Sequence, residues 1–190
     1  MRLFTGKGDQ GTTDLLGARV SKDDPRIELI GTLDETTSSL GLARALATSP
    51  QSREWLIEVQ RDLYHVMAEL AFTEELRPAS FSLAEDRVLR LEELTDSLAA
   101  ILNLPPQFIL PGDSVAGAAI DVARTVARRA ERQAVTLAHA GHITNPQILR
   151  YLNRLSSFLF VLARFEDHEA GATPLLAKTG ERAGHGKDQS

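Results

Sequence analysis

Ser52-Arg53-Glu54-Trp55-Leu56-Ile57-Glu58-Val59-Gln60-Arg61-Asp62-Leu63-Tyr64-His65-Val66-Met67-Ala68-Glu69-Leu70 decides the fold class. Trp55, Leu56, Val59, Leu63, Val66, Met67 and Leu70 recur at steps of three and four residues, which gathers them on one face of an α-helix. The spacing predicts a helix over about 52–76. The same period extends in both directions. Upstream, Asp23-Asp24-Pro25 supplies capping carboxylates and a first-turn proline for a helix reaching about residue 48. Downstream, Ser82 with Glu85 three positions on reads as a capping box for a third helix carrying Leu91, Leu94, Leu98 and Ile101. Pro105-Pro106 then breaks the pattern, and Phe108-Ile109-Leu110-Pro111-Gly112 forms a short apolar loop. A fourth helix is predicted over 113–140, closed near Gly141, and a fifth over 145–170, closed near Gly171.

After residue 25 the sequence shows no two-residue alternation. The fold class is therefore all-α: a five-helix up-and-down bundle in a ferritin-like arrangement, one domain spanning 1–171. Residues 1–24 form a Gly-rich N-terminal segment outside the bundle pattern, and 172–190, small, polar and aperiodic, are predicted to be a flexible tail.

Composition narrows the functional classes. The chain has 190 residues, enough to bury a core without staples, and no cysteine, which excludes disulfides and thiolate metal sites. A net charge of −5 argues against a protein that coats nucleic acid. No apolar run approaches the roughly 20 residues of a membrane span, and the N-terminus lacks a secretory pattern, so a cytoplasmic protein is expected.

Three features carry chemistry. Thr5-Gly6-Lys7-Gly8-Asp9-Gln10-Gly11-Thr12-Thr13 mixes glycines, which let backbone N–H groups approach an anion, with hydroxyl and ammonium donors. It is not a Walker A loop, and its plain alternative is a flexible polar terminus. Arg19 and Lys22 precede the first helix, where a cation opposes the helix dipole, so they are expected to face another group. On the fourth helix, Asp121, Arg124, Arg128 and Glu131 fall on one stripe, with Val115, Ala119, Val122, Val126, Ala130 and Leu137 opposite. A solvated face held by i,i+4 pairs is the bland explanation. The dense Arg128-Arg129-Ala130-Glu131-Arg132 run instead suits a polyphosphate, gripped by forked guanidiniums. On the first helix Gly31, Asp34, Ser38, Gly41 and Ala45 form a stripe of small residues, which predicts close helix approach and a buried Asp34 paired with a fourth-helix arginine, within the chain or across a subunit interface. Asn153 lies off the fifth helix's apolar stripe of Ile148, Leu152, Leu155, Leu159 and Leu162, with a donor and an acceptor to offer a ribose or base.

Taken in order, these blocks resemble the PduO-type ATP:cob(I)alamin adenosyltransferases. The resemblance runs from Leu3 to about Ala163. It is carried by the Thr5–Thr13 segment, Arg19-Val20-Ser21-Lys22-Asp23-Asp24-Pro25-Arg26, Gly31-Thr32-Leu33-Asp34-Glu35, Phe108-Ile109-Leu110-Pro111-Gly112, Val122 to Arg132, and Tyr151-Leu152-Asn153-Arg154-Leu155-Ser156. It implies a homotrimer binding ATP with Mg²⁺ between subunits, and cobalamin as the second substrate. Thr5, Gly6, Lys7 and Gly8, with Thr12, Thr13, Arg19 and Lys22, would wrap the triphosphate. Arg128, Arg129, Glu131, Arg132 and Asn153 would hold phosphates and adenosine. Asp34 and Arg124 would pair between subunits, and Phe108 would press against the corrin where the lower cobalt ligand otherwise sits. No resident metal is implied. A reductase and an adenosylcobalamin-dependent enzyme are the implied partners. Four positions depart from the family pattern: Thr37, Asp113, Asp121 and Ser157, several of them flanking the expected corrinoid side.

Two other classes compete. A delivery or sensor protein would bind ATP or adenosylcobalamin with weak turnover. A ferritin-like metal carrier would need a Glu-x-x-His pair, whereas Glu166-Asp167-His168 puts the two residues only two apart.

Overall fold

The computed structural model describes residues 4–73, 76–102 and 104–178. Its helices are α1 Pro25–Leu46, α2 Pro50–Ala71, α3 Glu85–Ile101, α4 Val115–His139 and α5 Pro146–Glu169. Local chemistry sets most of their ends. Asp24 caps α1 by accepting the Arg26 N–H, Ser114 caps α4 through Gly117, and Asn145 caps α5 through Gln147. Prolines open α1, α2 and α5, where a missing N–H costs nothing. Left-handed Gly141 and Gly171 turn the chain out of α4 and α5.

Two boundaries depart from the sequence expectation. Ser82 caps nothing: α3 begins at Glu85 after Ala84, and the Ser82 hydroxyl is drawn away to the buried Glu69 carboxylate. Glu69 also accepts the Leu83 N–H at 2.7 Å and the Asn145 amide at 3.1 Å, tying together the end of α2, the entry to α3 and the cap of α5. Helix α2 stops at Ala71 rather than continuing to 76, because Phe72 turns extended and pairs with Leu16. Residues 74–75 lie outside the described residues.

Leu16 belongs to an element the helical period could not reveal. Strands β1 Thr12–Leu15 and β2 Ala18–Ser21 form an antiparallel hairpin, with Leu15 opposite Ala18. Its tight turn needs Gly17, at φ 110°: a Cβ there would stand 2.8 Å from both Leu76 and Thr73. The hairpin tip docks on α2, Leu16 donating to the Ala71 carbonyl and accepting from Thr73, both at 3.0 Å.

Helices α4 and α5 pack on each other, α1 lies against α4, α2 against α1, and α3 against α5. Successive helices run antiparallel, so the hairpin sits at the end where α1 begins. The Phe108 loop sits at the other end, where α4 begins and α5 finishes. Leu29, Leu33, Leu40, Leu56, Leu63, Ile120, Leu152, Leu155 and Leu159 fill the core, and every residue from Val161 to Asp167 is buried. The inward face of α4 is Ala116, Ile120, Ala123, Ala127, Ala130, Ala134 and Leu137. The expected apolar side is right in Ala130 and Leu137 but not in Val115 and Val122, which are exposed, because close contact with both α1 and α5 selects alanine over valine.

Candidate functional site

The glycine-rich segment is ordered by short-range bonds. Gly6 (φ 72°) and Gly11 (φ 76°) reverse the backbone, and the Lys22 N–H closes onto the Gly11 carbonyl at 2.8 Å. Gly8 leaves room for the Lys22 ammonium, which a Cβ would meet at 3.2 Å. Thr5, Lys7, Thr12 and Lys22 therefore stand around one small exposed turn, while Thr13, opposite Val20 in β1, points to the other face of the hairpin from Thr12. Arg19 is differently employed. Its guanidinium donates to the Lys7 carbonyl (2.6 Å), the Thr12 hydroxyl (2.8 Å) and Asp14 (2.7 Å), bracing the turn from within.

On the flank of α4 the charged stripe is present but one turn shorter than expected. Arg128 is exposed, and among the described residues its guanidinium has no hydrogen-bond or ion-pair partner. Arg132 lies beside it, donating to the Arg128 backbone carbonyl at 3.0 Å. Glu131 accepts from the Asn153 amide of α5 at 2.9 Å, and Asn153 accepts from Arg154 at 2.7 Å, so the side chain is fixed from both ends. Arg129 pairs with Glu35 of α1. Arg128, Arg132 and Asn153 thus form one open cationic platform whose neighbours are already held.

Asp121 leaves the stripe. It is buried, bonded by Arg124 at 2.6 Å and by Arg164 of α5 at 2.7 Å. Arg164 reaches Asp167 at 2.9 Å, and Asp167 accepts the Ser114 hydroxyl at 2.7 Å. Burial pushes the Asp167 carboxyl above its usual range, against the pull of Ser114 and Arg164. Gly117 is required here, since a Cβ would lie 2.1 Å from the Asp167 carboxylate. This network stands directly under the Phe108 loop. Sequence reasoning missed it, although a lone arginine inside Phe158-Leu159-Phe160-Val161-Leu162-Ala163-Arg164-Phe165 signals a buried partner.

The small-residue stripe predicted a buried Asp34, but within one chain it is exposed and has no partner among the described residues, and Arg124 bonds Asp121. The within-chain form of the expected Asp34–arginine pair is therefore absent among the described residues, and the form across a subunit interface involves a second chain. The small-residue stripe of α1 faces outward, because α1 meets α4 through Leu29, Leu33, Leu40 and Ala43.

At the far end of α4 Phe108 projects into solvent, 73% exposed, while its neighbour Ile109 is buried. Residues 172–178 are not a frayed tail. They return from Gly171 and pair with this loop, Ile109 opposite Leu176. The remainder of the predicted tail, 179–190, lies outside the described residues.

The chain therefore holds three separate groups: a turn rich in N–H, hydroxyl and ammonium donors, an arginine platform, and an exposed aromatic on an anchored loop. Among the described residues no hydrogen bond or ion pair joins 5–22 to Arg128, Arg132 or Asn153. A cavity of about 330 Å³ beside Arg26, Glu69, Phe72, Arg77 and His142 contains none of the site residues expected from sequence. No described helix is long and apolar enough to cross a membrane.

A cationic arginine platform and a donor-rich turn, both with chemistry suited to an anion, stand on a five-helix bundle. The Cobalamin adenosyltransferase family model matches residues 3–166, and the chain belongs to that family. It is 41% identical over 186 residues to the corrinoid adenosyltransferase PduO of Citrobacter freundii, covering 96% of this chain and 55% of that protein. The chain thus spans about half the length of the first curated relatives it matches. With the corrinoid adenosyltransferase of Bacillus subtilis it shares 38% identity, covering 90% of this chain and 89% of the relative. Among solved structures, a phenylalanine-to-alanine variant of the PduO-type ATP:corrinoid adenosyltransferase of Lactobacillus reuteri, complexed with cobalamin and ATP, superposes with a TM-score of 0.86. Its sequence is 31% identical, and the match covers 94% of this chain and all of that one. An arginine-to-lysine variant of the same enzyme, complexed with ATP, gives 0.80 at 33% identity, covering 93% of this chain and all of that one.

Proposed function

We propose that this chain transfers the 5′-deoxyadenosyl group of ATP to the reduced cobalt of cobalamin, releasing triphosphate. The observation that carries the proposal is the exposed Arg128, without a side-chain partner among the described residues, beside Arg132 and the pinned Asn153, a set of donors matched to a nucleotide. The family relationship and the complexes of its members with ATP and cobalamin support it.

The chemistry asks little of the side chains. Co(I) is the nucleophile: its electron pair forms the Co–C bond at C5′, cobalt becomes Co(III), and the C5′–O electron pair departs with triphosphate. No side chain acts as a base. Lys7, Lys22, Arg128, Arg129 and Arg132 offset the charge gathering on the leaving group, with Mg²⁺ arriving as part of the nucleotide substrate. Thr5, Gly6, Gly8, Thr12 and Thr13 wrap the phosphates while Arg19 stiffens their turn, and Glu131 orients Asn153 towards the adenosine. Phe108 covers the lower corrin face and keeps an axial ligand off the cobalt, which eases its reduction. Among the described residues no hydrogen bond or ion pair links the donor turn to the platform; the site is completed between subunits of a homotrimer, with Asp34 of one subunit meeting Arg124 of the next. The protein works in the cytoplasm, with a reductase upstream and an adenosylcobalamin-dependent enzyme downstream.

Anaerobic incubation with ATP, Mg²⁺ and chemically reduced cob(I)alamin, followed by absorbance, tests this. The adenosylcobalamin spectrum with stoichiometric triphosphate is expected. Tight ATP binding without turnover would overturn the transferase reading in favour of a delivery or sensor protein.

A further inference from the structure

The loop that presents Phe108 is bonded on both sides of Ile109 to the chain that follows α5. The geometry points to residues 172–177 as a strap that positions Phe108, with Asp113 as its latch; the inference rests on the corrinoid-facing role proposed above. After α5 the chain reverses at Gly171 (φ 71°), the Ala172 N–H closing onto the Asp167 carbonyl at 2.9 Å. It then runs antiparallel to the loop. The Ala177 N–H donates to the Phe108 carbonyl at 2.9 Å, and the Leu110 N–H donates to the Leu175 carbonyl at 2.7 Å. Neighbouring residues of an extended segment point to opposite sides. With Ile109 turned inward and buried, Phe108 and Leu110 are turned out. The strap therefore sets which way the aromatic points.

Asp113 closes the arrangement from the other side. Its carboxylate accepts the Leu175 N–H at 3.3 Å, across the reversal at Pro111-Gly112, where φ is 117°. One residue later Ser114 caps α4 and bonds Asp167, so the latch is one residue from the buried network that fixes the helix ends. Asp113 touches no reacting atom in this arrangement; it is a positioning residue.

The test compares full-length Asp113→Ala, Asp113→Asn, Ala177→Pro and Phe108→Ala. The readouts are steady-state kinetics with cob(I)alamin at saturating ATP and Mg²⁺, ATP affinity by calorimetry, and hydrogen exchange at the Leu110 amide. Asp113→Ala removes the acceptor and Ala177→Pro removes the donor to Phe108. Each is expected to lower kcat/KM for the corrinoid about three- to tenfold and to speed Leu110 exchange, with ATP affinity kept within about twofold. Asp113→Asn still offers an oxygen and is expected to retain both properties. Unchanged exchange and corrinoid kinetics in Asp113→Ala and Ala177→Pro, alongside an impaired Phe108→Ala, would overturn the strap alone. A parallel loss of ATP affinity would make Asp113 merely structural and overturn it too. An unimpaired Phe108→Ala would remove the underlying corrinoid role, and the strap's purpose with it.

Discussion

Replacing Arg128 by alanine separates ligand binding from folding more cleanly than any other change on the platform. The guanidinium is exposed and has no hydrogen-bond or ion-pair partner among the described residues, and the bond from Arg132 ends on the Arg128 backbone carbonyl, which alanine keeps. Folding stability should therefore move by no more than about 0.5 kcal/mol. ATP binding should respond quite differently. A guanidinium gripping a phosphate makes two charge-assisted hydrogen bonds, each contributing about 1.5–3 kcal/mol. Their joint loss, about 3–6 kcal/mol, corresponds to a fall in ATP affinity of about 10²- to 10⁴-fold. Arg128→Lys keeps the charge without the fork and should fall between the two. Calorimetric titration with ATP and Mg²⁺, paired with urea unfolding, reads both quantities on one preparation. An Arg128→Ala protein that folds normally and binds ATP like the parent would refute the platform as the nucleotide's anchor.

Gly117→Ala should destabilise the fold by about 1–3 kcal/mol despite alanine's better helix propensity. The new methyl meets an Asp167 carboxylate already held by Ser114 and Arg164. A rise in the urea midpoint would contradict this. Asp62 is buried and accepts the Tyr151 hydroxyl at 3.0 Å, and burial raises its carboxyl above 3.8 despite that bond and the nearby Arg87. The folded state thus holds the proton more tightly than the unfolded one. The associated stability is complete below pH 3.8 and is lost as pH rises through the raised folded value. Asp62→Asn, which keeps an acceptor for Tyr151, should gain on the parent as pH climbs from about 3.5 to 7. Losing ground over that window would mean that the Arg87 pair outweighs burial. Asp34 has no partner among the described residues, so Asp34→Ala should leave monomer folding intact and weaken the proposed trimer in light scattering; an undisturbed trimer would exclude Asp34 from the interface.

The helices were legible because their period survives any packing arrangement, and several caps are written locally in Asp24, Gly141 and Gly171. Tertiary competition hid the rest. Ser82 looks like a cap until Glu69, thirteen residues earlier in the chain, claims its hydroxyl. Valine looks more apolar than alanine, yet α4 buries the alanines because it has helices on two sides. The site divides the same way. Arg128 and Arg132 are neighbours on one face of α4 as their spacing predicts, and Asn153, grouped with them only by the resemblance, meets Glu131 of the same helix, whereas Asp121 turns inward to an arginine forty-three residues downstream that no local pattern names. The hairpin has only four residues per strand, too few for alternation to stand out in a glycine-rich stretch.

The alanine face of α4 also bears on the chemistry. When the metal centre is itself the nucleophile, the protein contributes placement: the distance and angle between cobalt and C5′, and a fixed field around the leaving group. Arg128 lies about 20 Å along α4 from Val115, the residue that follows the Phe108 loop and its cap. Under the proposed function, one helix therefore carries the nucleotide's anchor and abuts the corrinoid's wedge. Ala116, Ala123, Ala127, Ala130 and Ala134 let that helix lie close against α1 and α5, and close-packed small side chains leave it little freedom to slide or rotate. The Asp121–Arg164–Asp167–Ser114 network fastens its first turn to the end of α5, and Glu131–Asn153 fastens its middle to the beginning. A rod pinned at both points transmits a position rather than a motion, and position is what the proposed reaction requires.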